Sequence, residues 1–404
     1  MPIKLQSSKP GKVEQTTAQL YQPVKALPQK YFVSPEIFAE ERTKVFSKQW
    51  LLVGHQSQIA DAGDFFLVSV PPSSDYGATK ESLIVIRDKN GEVRGFYNVC
   101  RHRGTRLCEA RNGHLSAIQC PYHAWTYGLD GRLIGAPHMD EVPGFDKADY
   151  SLHRVNLGLW EGFIFVNLAD ASTERGGYRS LEDWFAPLAG KFTHWNMSIL
   201  RPAKRIEYDV RANWKLMFEN YSECYHCPGV HPMLSKVSPY DSAENDLSQG
   251  PFLGGFMKIN KGRSLSMSGN ACALGIQNAE KKGEEGKHRV FYYSIFPNML
   301  LSIHPEYVMI HHLWPQSPDR TLIICDWFFH PDAFAASGRG GVPFNPNDAI
   351  EFWDMTNKQD WHVCELSQQG IASRAYEPGP YSSRERIPAA WDNYYLRVIG
   401  DAAE

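Results

Sequence analysis

Four potential metal ligands form two short pairs within residues 100–123. One residue separates Cys100 from His102, and two residues separate Cys120 from His123. Thiolate and imidazole groups are the ligands on which zinc sites and some iron–sulfur centres depend. The sequence therefore indicates a metal centre, and the ligand types alone leave its kind open.

The pairing of the ligands favours one kind of centre over another. A structural zinc site accepts two cysteines and two histidines, but it usually groups cysteine with cysteine and histidine with histidine. Here each arm contributes one of each. A Rieske [2Fe–2S] cluster needs this mixture, because one iron has two cysteine ligands and the other has two histidine ligands. We predict such a cluster, with structural zinc as the alternative.

A second stretch, residues 213–232, carries a carboxylate and two imidazoles. At about 100° per residue, Glu223 and His226 share the polar face of a helix that we predict to end at Pro228–Gly229, and His231 follows on the turn. The other face is apolar, so a polar face turned to solvent is the ordinary interpretation. The alternative is a metal site that uses both histidines.

Asp360 gives a reason to prefer the metal site. In the helical pattern of residues 352–370 it lies on the side of Trp353 and Cys364, away from the charged face. A carboxylate on an apolar face must be paired or bound to a metal, because burying it bare is costly. Two histidines and one carboxylate suit a facial triad, which binds Fe(II) and leaves positions open for O2 and substrate.

Two kinds of segment must position these groups. Residues 50–168 consist of short β-rich runs divided by Gly, Pro, Asp and Asn, whereas the chain after residue 200 mixes strands with two helical stretches. A chain of 404 residues also exceeds one ordinary core. We predict an α+β protein with three parts: an N-terminal arm and helix packing on the catalytic domain (1–45), a small all-β [2Fe–2S] domain (46–170), and a catalytic domain with a central antiparallel sheet and flanking iron-binding helices (171–404).

The number of cysteines and the net charge limit the classes of protein to which this chain can belong. The eight cysteines accompany no export signal, so we expect a cytoplasmic protein with reduced thiols. Cys224 and Cys227 have C-x-x-C spacing, but no second C-x-x-C completes a zinc site, and we interpret them as packing residues. A net charge of −3 gives no argument for nucleic acid, and no apolar run approaches the ~18 residues of a membrane span.

The first motif, CRHRGTRLC followed by CPYHAWTYGLDGRL, resembles the Rieske domain of the Rieske non-haem iron oxygenase α subunits. The resemblance implies that Cys100 and Cys120 hold one iron of the cluster, and that His102 and His123 hold the outer iron. It extends over residues 30–375 and implies a ring-hydroxylating type of catalytic domain.

The second motif, acid-x-x-His-x4-His with a distant Asp, resembles the mononuclear iron site of the same family. The resemblance implies that His226, His231 and Asp360 bind mononuclear Fe(II). It also implies that Glu223 bridges a cluster histidine of one subunit and an iron histidine of the next in a head-to-tail homotrimer. Most members have Asp at the bridging position, and the glycine betaine, carnitine and stachydrine N-demethylating branch has Glu.

The resemblance also implies the reaction. Electrons from NAD(P)H would arrive through a separate flavin/ferredoxin-type reductase, since this chain has no GxGxxG or flavin motif. We predict O2-dependent N-demethylation of a quaternary ammonium compound such as glycine betaine, with formaldehyde release. The alternative is hydroxylation or O-demethylation of an aromatic acid on the same scaffold.

A quaternary ammonium substrate requires aromatic faces for its cation and a polar group for its carboxylate. The aromatic-rich stretch 289–315 offers both, although alternating aromatics in a β-run are ordinarily core residues. The substrate-binding residues predicted from it are Phe291, Tyr293, His304, Tyr307 and His311.

Overall fold

The computed structural model describes residues 24–70, 81–170, 178–273, 275–276, 288–335 and 344–400. Most of the predicted N-terminal arm, residues 1–23, lies outside the described residues. The predicted helix after it is present in two parts: an α-helix, Pro35–Glu41, continues directly into one wider turn, Arg42–Phe46. Ser34 begins this helix, because its hydroxyl accepts a hydrogen bond from the Ile37 backbone N–H (3.2 Å).

Short strands dominate residues 51–167, as the β-branched and aromatic runs predict. They form three sheets, in the orders β1-β10-β9, β4-β3-β2-β5 and β6-β7-β8, so this part of the chain is all-β. The strands are β1 (Leu51–His55), β2 (Asp64–Val70), β3 (Glu81–Arg87), β4 (Val93–Tyr97), β5 (Asn112–His114), β6 (Ile118–Gln119), β7 (Thr126–Tyr127), β8 (Leu133–Gly135), β9 (Asn156–Trp160) and β10 (Phe163–Asn167).

A seven-stranded antiparallel sheet, in the order β11-β17-β16-β15-β14-β13-β12, forms the centre of the C-terminal half. Its middle strands are buried on both faces, which explains their nearly continuous apolar sequences. The strands are β11 (Arg201–Val210), β12 (Glu244–Gln249), β13 (Phe252–Lys258), β14 (Arg289–Ile295), β15 (Met299–Ile303), β16 (Tyr307–Ser317) and β17 (Arg320–Phe329).

Helices flank this sheet, and the α+β class predicted from the sequence is confirmed. The longest, α8, packs together with α9 against α4, which lies directly before the histidine motif. The helices are α1 (Lys30–Val33), α2 (Pro35–Glu41), α3 (Leu181–Phe185), α4 (Trp214–Tyr221), α5 (Cys227–Val230), α6 (Pro232–Val237), α7 (Pro331–Ala335), α8 (Pro346–Ile371) and α9 (Arg386–Ile399). None of the helices described is long and apolar enough to cross a bilayer.

The two halves of the chain share packing and hydrogen bonds. One apolar cluster contains Leu51, Val166 and Trp214, and so joins strands of the all-β part to α4. Asn298, in the turn between β14 and β15, makes two hydrogen bonds to strand β1: it accepts from the Leu52 backbone N–H (2.9 Å) and donates to the Leu52 carbonyl (3.0 Å). The domain bounds at residues 45 and 170 stay a prediction.

A buried ion pair holds the first turn of α4. Lys215 and Glu41 are almost inaccessible and in direct contact. Glu41 also accepts hydrogen bonds from the Trp214 indole (2.8 Å) and the Tyr395 hydroxyl (2.6 Å). A carboxylate at this depth is tolerated only because these three donors surround it.

Replacing Lys215 with Met should therefore destabilise the protein. The substitution leaves the Glu41 carboxylate buried without its cation, and breaking such a pair costs about 3–5 kcal/mol. The measurement is denaturant unfolding followed by tryptophan fluorescence. Lys358→Met is the matched control, because Lys358 pairs with Asp354 at the surface and should change stability by less than about 1 kcal/mol. Equal unfolding midpoints for the two variants would contradict the role of the buried pair.

Candidate active site

The two Cys/His pairs lie on loops with the same backbone pattern. In the first loop Cys100 N–H donates to the Thr105 carbonyl (2.8 Å) and Cys100 O accepts from Gly104 N–H (3.0 Å). In the second loop Cys120 makes the equivalent bonds, from its N–H to the Trp125 carbonyl (2.8 Å) and to its carbonyl from Ala124 N–H (3.1 Å). Both loops turn through a left-handed residue, Gly104 or Ala124. Each of these two similar turns therefore carries one thiol and one imidazole.

The thiols and the imidazoles of these loops occupy different environments. Cys100 and Cys120 are buried, and Tyr127 Oη lies 3.3 Å from the Cys100 sulfur. The rings of His102 and His123 lie side by side, with centroids 4.7 Å apart, toward the surface. The donor set of two inner thiols and two outer imidazoles fits the cluster predicted from the spacing.

The predicted helix before the second pair of histidines is shorter than expected. It was predicted to end at Pro228–Gly229, but α4 ends at Tyr221. Pro228 explains why no helix continues past it, since it has no N–H and its ring would collide with the carbonyl four residues earlier, but it does not explain an end at Tyr221. The Glu223 carboxylate also accepts hydrogen bonds from the backbone N–H groups of Tyr225 and His226, which replaces helical bonding in the loop.

A disulfide closes the same loop. The sulfur atoms of Cys224 and Cys227 are bonded, and their Cα atoms are 5.0 Å apart. The interpretation of these residues as free packing thiols was therefore wrong. The C-x-x-C spacing was interpreted only as half of a zinc site, and a disulfide between its two cysteines was not considered. The bond brackets His226, which links the conformation of this loop to the position of that imidazole.

His226, His231 and Asp360 converge although α8 lies far along the chain. One ligand atom from each residue lies within 4.8 Å of the other two, and no other such group of three exists among the residues described. The Nε2 atoms of His226 and His231 lie 3.3 and 2.8 Å from the same oxygen, Asp360 Oδ1. Two imidazole nitrogens and one carboxylate around a shared point form a donor set suited to Fe(II).

The second nitrogen of each imidazole is fixed by a hydrogen bond. His226 Nδ1 donates to Glu223 Oε1 (2.5 Å), and His231 Nδ1 donates to Gln359 Oε1 (2.8 Å). Such outer partners set the ring orientation and leave Nε2 available to a metal. Gln359 is adjacent to Asp360, so α8 supplies both a ligand and an orienting group.

Each charged side chain of the triad stabilises the charge of its neighbours. Burial lowers the pKa of His226, but hydrogen bonds and charge interactions with Asp360 and Glu223 outweigh it and raise the pKa to about 10. Burial would raise the pKa of Asp360, and the two histidines hold it below its ordinary value. An entering metal ion therefore has to displace a proton from this cluster.

The triad lies in a cavity of about 540 Å³. Its lining includes residues of the loop before α5, of α8 and of strands β13, β14 and β16. The aromatic side chains that line it include Tyr221, Tyr292, Trp353 and Trp361. Their rings are close, with centroids 5.8 Å apart for Tyr221 and Tyr292, and 6.4 Å apart for Tyr292 and Trp353.

Of the five predicted substrate-binding residues, only His311 lines this cavity. Phe291 and Tyr293 project from the opposite face of β14 into a separate apolar cluster, and Tyr307 donates a hydrogen bond to the Leu265 carbonyl (2.8 Å) deeper in the core. His304 stacks on Tyr307 with centroids 4.1 Å apart. These four residues therefore lie outside this cavity, and their role in substrate binding stays a prediction.

Tyr292, Trp353 and Trp361, which do line the cavity, were not among the predicted substrate-binding residues, although two sequence signals pointed to them. On β14 the alternation of side chains places Tyr292 and Ser294 opposite Phe291 and Tyr293. On α8, Trp353, Asn357, Asp360 and Trp361 follow the i, i+4, i+7, i+8 pattern of a single helix face. The face that carries the proposed ligand thus also identifies two aromatic wall residues.

Comparison with known families identifies the two parts of the chain in which these sites lie. A model of the Rieske [2Fe–2S] domain matches residues 49–146, and a model of the ring-hydroxylating α subunit (catalytic domain) matches residues 197–401. The chain belongs to the Rieske ring-hydroxylating oxygenase α-subunit family. It is therefore an oxidoreductase whose cofactors are a Rieske [2Fe–2S] cluster and a mononuclear iron, with NAD(P)H typically used through a reductase.

Relatives within this Rieske oxygenase family share most of their length with the chain. It is 30% identical to the glycine betaine monooxygenase oxygenase subunit of Chromohalobacter salexigens, over 88% of this chain and 82% of the relative. It is 34% identical to the carnitine monooxygenase oxygenase subunit of Acinetobacter pittii, over 86% of each chain. A solved quaternary ammonium Rieske monooxygenase has the same fold, with a TM-score of 0.75, 23% identity and coverage of 94% and 96%.

Substituting Asp360 with Ala tests the triad. Loss of the carboxylate should lower iron affinity by more than the roughly 10- to 100-fold cost of losing an outer hydrogen bond. The visible spectrum of the [2Fe–2S] cluster should persist, because its four proposed ligands lie on other loops. Iron and sulfide analysis of the purified protein measures both. Glu351→Gln, at an exposed position of the same helix, is the control, and undiminished mononuclear iron in Asp360→Ala would exclude Asp360 as a ligand.

Proposed function

We propose that this chain is the oxygenase component of a Rieske monooxygenase that removes a methyl group from a quaternary ammonium compound such as glycine betaine. One O2 and one NAD(P)H would convert the trimethylammonium group to a dimethylamino group, formaldehyde and water. Hydroxylation of one methyl C–H bond gives a hemiaminal, whose C–N bond then breaks to release formaldehyde. The observation that carries the proposal is a facial triad in an aromatic-lined cavity, in a chain that also has both Rieske loops.

The proposed ligands are two sets of donors. Cys100, His102, Cys120 and His123 would hold the [2Fe–2S] cluster, and His226, His231 and Asp360 would hold the mononuclear iron. When bound, the cluster supplies single electrons and the iron supplies the activation of O2. The protein's own part is to fix the imidazoles through Glu223 and Gln359 and to hold the substrate in the cavity.

The cavity wall supports a cationic substrate. A quaternary ammonium group has no N–H to donate, so it is bound by aromatic faces through cation–π contact. Tyr221, Tyr292, Trp353 and Trp361 supply such faces beside the triad. His311 adds no positive charge there, because burial lowers its pKa to about 4. The names of the related glycine betaine and carnitine enzymes support the same class of substrate.

Glu223 is proposed as the connection between subunits. One of its oxygens is already bonded to His226 Nδ1, and the carboxylate can accept more than one hydrogen bond. The outer cluster ligand His102 is exposed, and Tyr225, two residues after Glu223, is also exposed. Both ends can thus meet a neighbouring chain in a homotrimer, with a flavin/ferredoxin-type reductase delivering electrons to the cluster.

Formaldehyde release tests the reaction. Reconstituted protein, a Rieske-type reductase, NADH and O2 are mixed with glycine betaine, carnitine, proline betaine, methoxybenzoates or unmethylated aromatic acids. We expect formaldehyde from a betaine, equimolar with the dimethylamino product. Formaldehyde from methoxybenzoates alone, or a hydroxylated aromatic product without formaldehyde, would reject the quaternary ammonium substrate in favour of an aromatic acid.

Replacing Glu223 with Gln tests the bridge. The neutral amide cannot accept hydrogen bonds from two imidazoles as a carboxylate does, so turnover should fall roughly 10- to 100-fold while both metals remain bound. Steady-state turnover, metal content and the rate of cluster reduction by the reductase separate these effects. Glu207→Gln, at an exposed site, is the control. Full turnover of Glu223→Gln would remove Glu223 from the electron path.

A further inference from the structure

Two arginines lie at the rim of the active-site cavity, where α9 begins. Arg384 and Arg386 both line the cavity and are exposed, whereas His231 of the triad is 2% exposed. The Arg384 guanidinium lies over the ring of Tyr240, another lining residue, 5.3 Å from its centroid. Among the lining residues described, these are the two that carry a lysine or arginine charge.

The two guanidinium groups are available to a ligand. The acids that line the cavity are Glu223, Asp241 and Asp360. Glu223 and Asp360 are bonded to the histidines at the inner end, and Asp241 at the rim makes no ion pair within 4.0 Å with either arginine in the described structure. Neighbouring Glu385 is occupied as well, since it accepts a hydrogen bond from the Ser382 backbone N–H (2.8 Å).

The two ends of the cavity therefore suit different groups. The inner end has the aromatic wall, whose ring faces attract a cation. The rim has two arginines and the first turn of α9, whose backbone N–H groups also favour an anion. A zwitterion that carries its cation at one end and its anion at the other matches this distribution.

We propose that Arg384, supported by Arg386, binds the carboxylate of the substrate and selects quaternary ammonium carboxylates over quaternary ammonium alcohols. This inference rests on the proposed function, and it assigns the substrate class of the same site. Arg384 is the principal contact, because Tyr240 orients its planar guanidinium, which can meet a carboxylate with two parallel hydrogen bonds. Arg386 also lines an adjoining cavity and adds charge.

The test compares substrates with and without a carboxylate in the holoenzyme. Formaldehyde release is measured with glycine betaine, carnitine and choline for wild type, Arg384→Gln, Arg384→Lys and the double variant Arg384→Gln/Arg386→Gln. We expect KM for the two carboxylates to rise roughly 10- to 100-fold in Arg384→Gln, because a hydrogen-bonded charge contact is lost. The values for choline should change less than about twofold, and kcat should change little for all three.

Two further variants make the outcome specific. Arg384→Lys keeps the charge without the planar fork, so its KM should fall between those of wild type and Arg384→Gln. Arg374→Gln removes an exposed arginine outside the cavity and should behave as wild type. KM values within about twofold of wild type in the double variant, or equal increases for choline and the carboxylates, would overturn the assignment.

Direct binding separates this inference from the proposed reaction. If wild type releases no formaldehyde from any of the three compounds, the proposed function has failed, and calorimetric titration with benzoate and benzyl alcohol then tests the arginines alone. Preferential binding of benzoate that disappears in the double variant would support a carboxylate site. Equal binding by the two proteins would overturn it.

Discussion

The Asp360 carboxylate and the two imidazole nitrogens that face it constrain everything around them. A carboxylate in this position must be surrounded by positive or metal partners, and its partner His231 lies 129 residues earlier in the chain. Bringing them together requires that α4 stop before Pro228, so that two histidines can turn back toward α8. The loop between α4 and α5 makes this turn. Glu223 and the adjacent disulfide fix its conformation.

The packing contacts that hold this loop also extend to the rim of the cavity. Lys215 anchors the first turn of α4, and Ser222 just after its end meets Ser294 of the sheet with the two hydroxyl oxygens 2.8 Å apart. Between them, Phe218 stacks on Trp391 of α9 with ring centroids 5.1 Å apart. The helix that precedes the proposed iron ligands His226 and His231 is thus packed against α9, which begins at Arg386 and lies two residues after Arg384. Movement of either helix would alter both ends of the cavity.

The part of this arrangement that could be predicted is the part encoded locally. The cluster pairs, the histidine pair and Asp360 all belong to short patterns, and the families matched agree with the cofactors those patterns predict. Which residues line the cavity depends instead on the face of the strand to which each side chain belongs. One residue separates Tyr292 in the cavity from Tyr293 in the core, and composition cannot distinguish them. Glu219 illustrates the same limit. Nothing in the sequence marks this carboxylate as buried, but burial and the neighbouring Asp392 raise its pKa well above the ordinary value.

The chemistry of a tetraalkylammonium group explains why selection of the proposed substrate belongs at the rim. Such a cation has no hydrogen-bond donor and is nearly spherical, so aromatic faces attract it without fixing its direction. The other end of the molecule must then direct the methyl groups, rather than the rest of the chain, toward the iron. A carboxylate held by a planar guanidinium has a defined orientation, and Arg384 offers that contact from a segment outside both metal-binding motifs. Sites that share identical iron ligands can therefore differ in substrate through the segment that leads into α9.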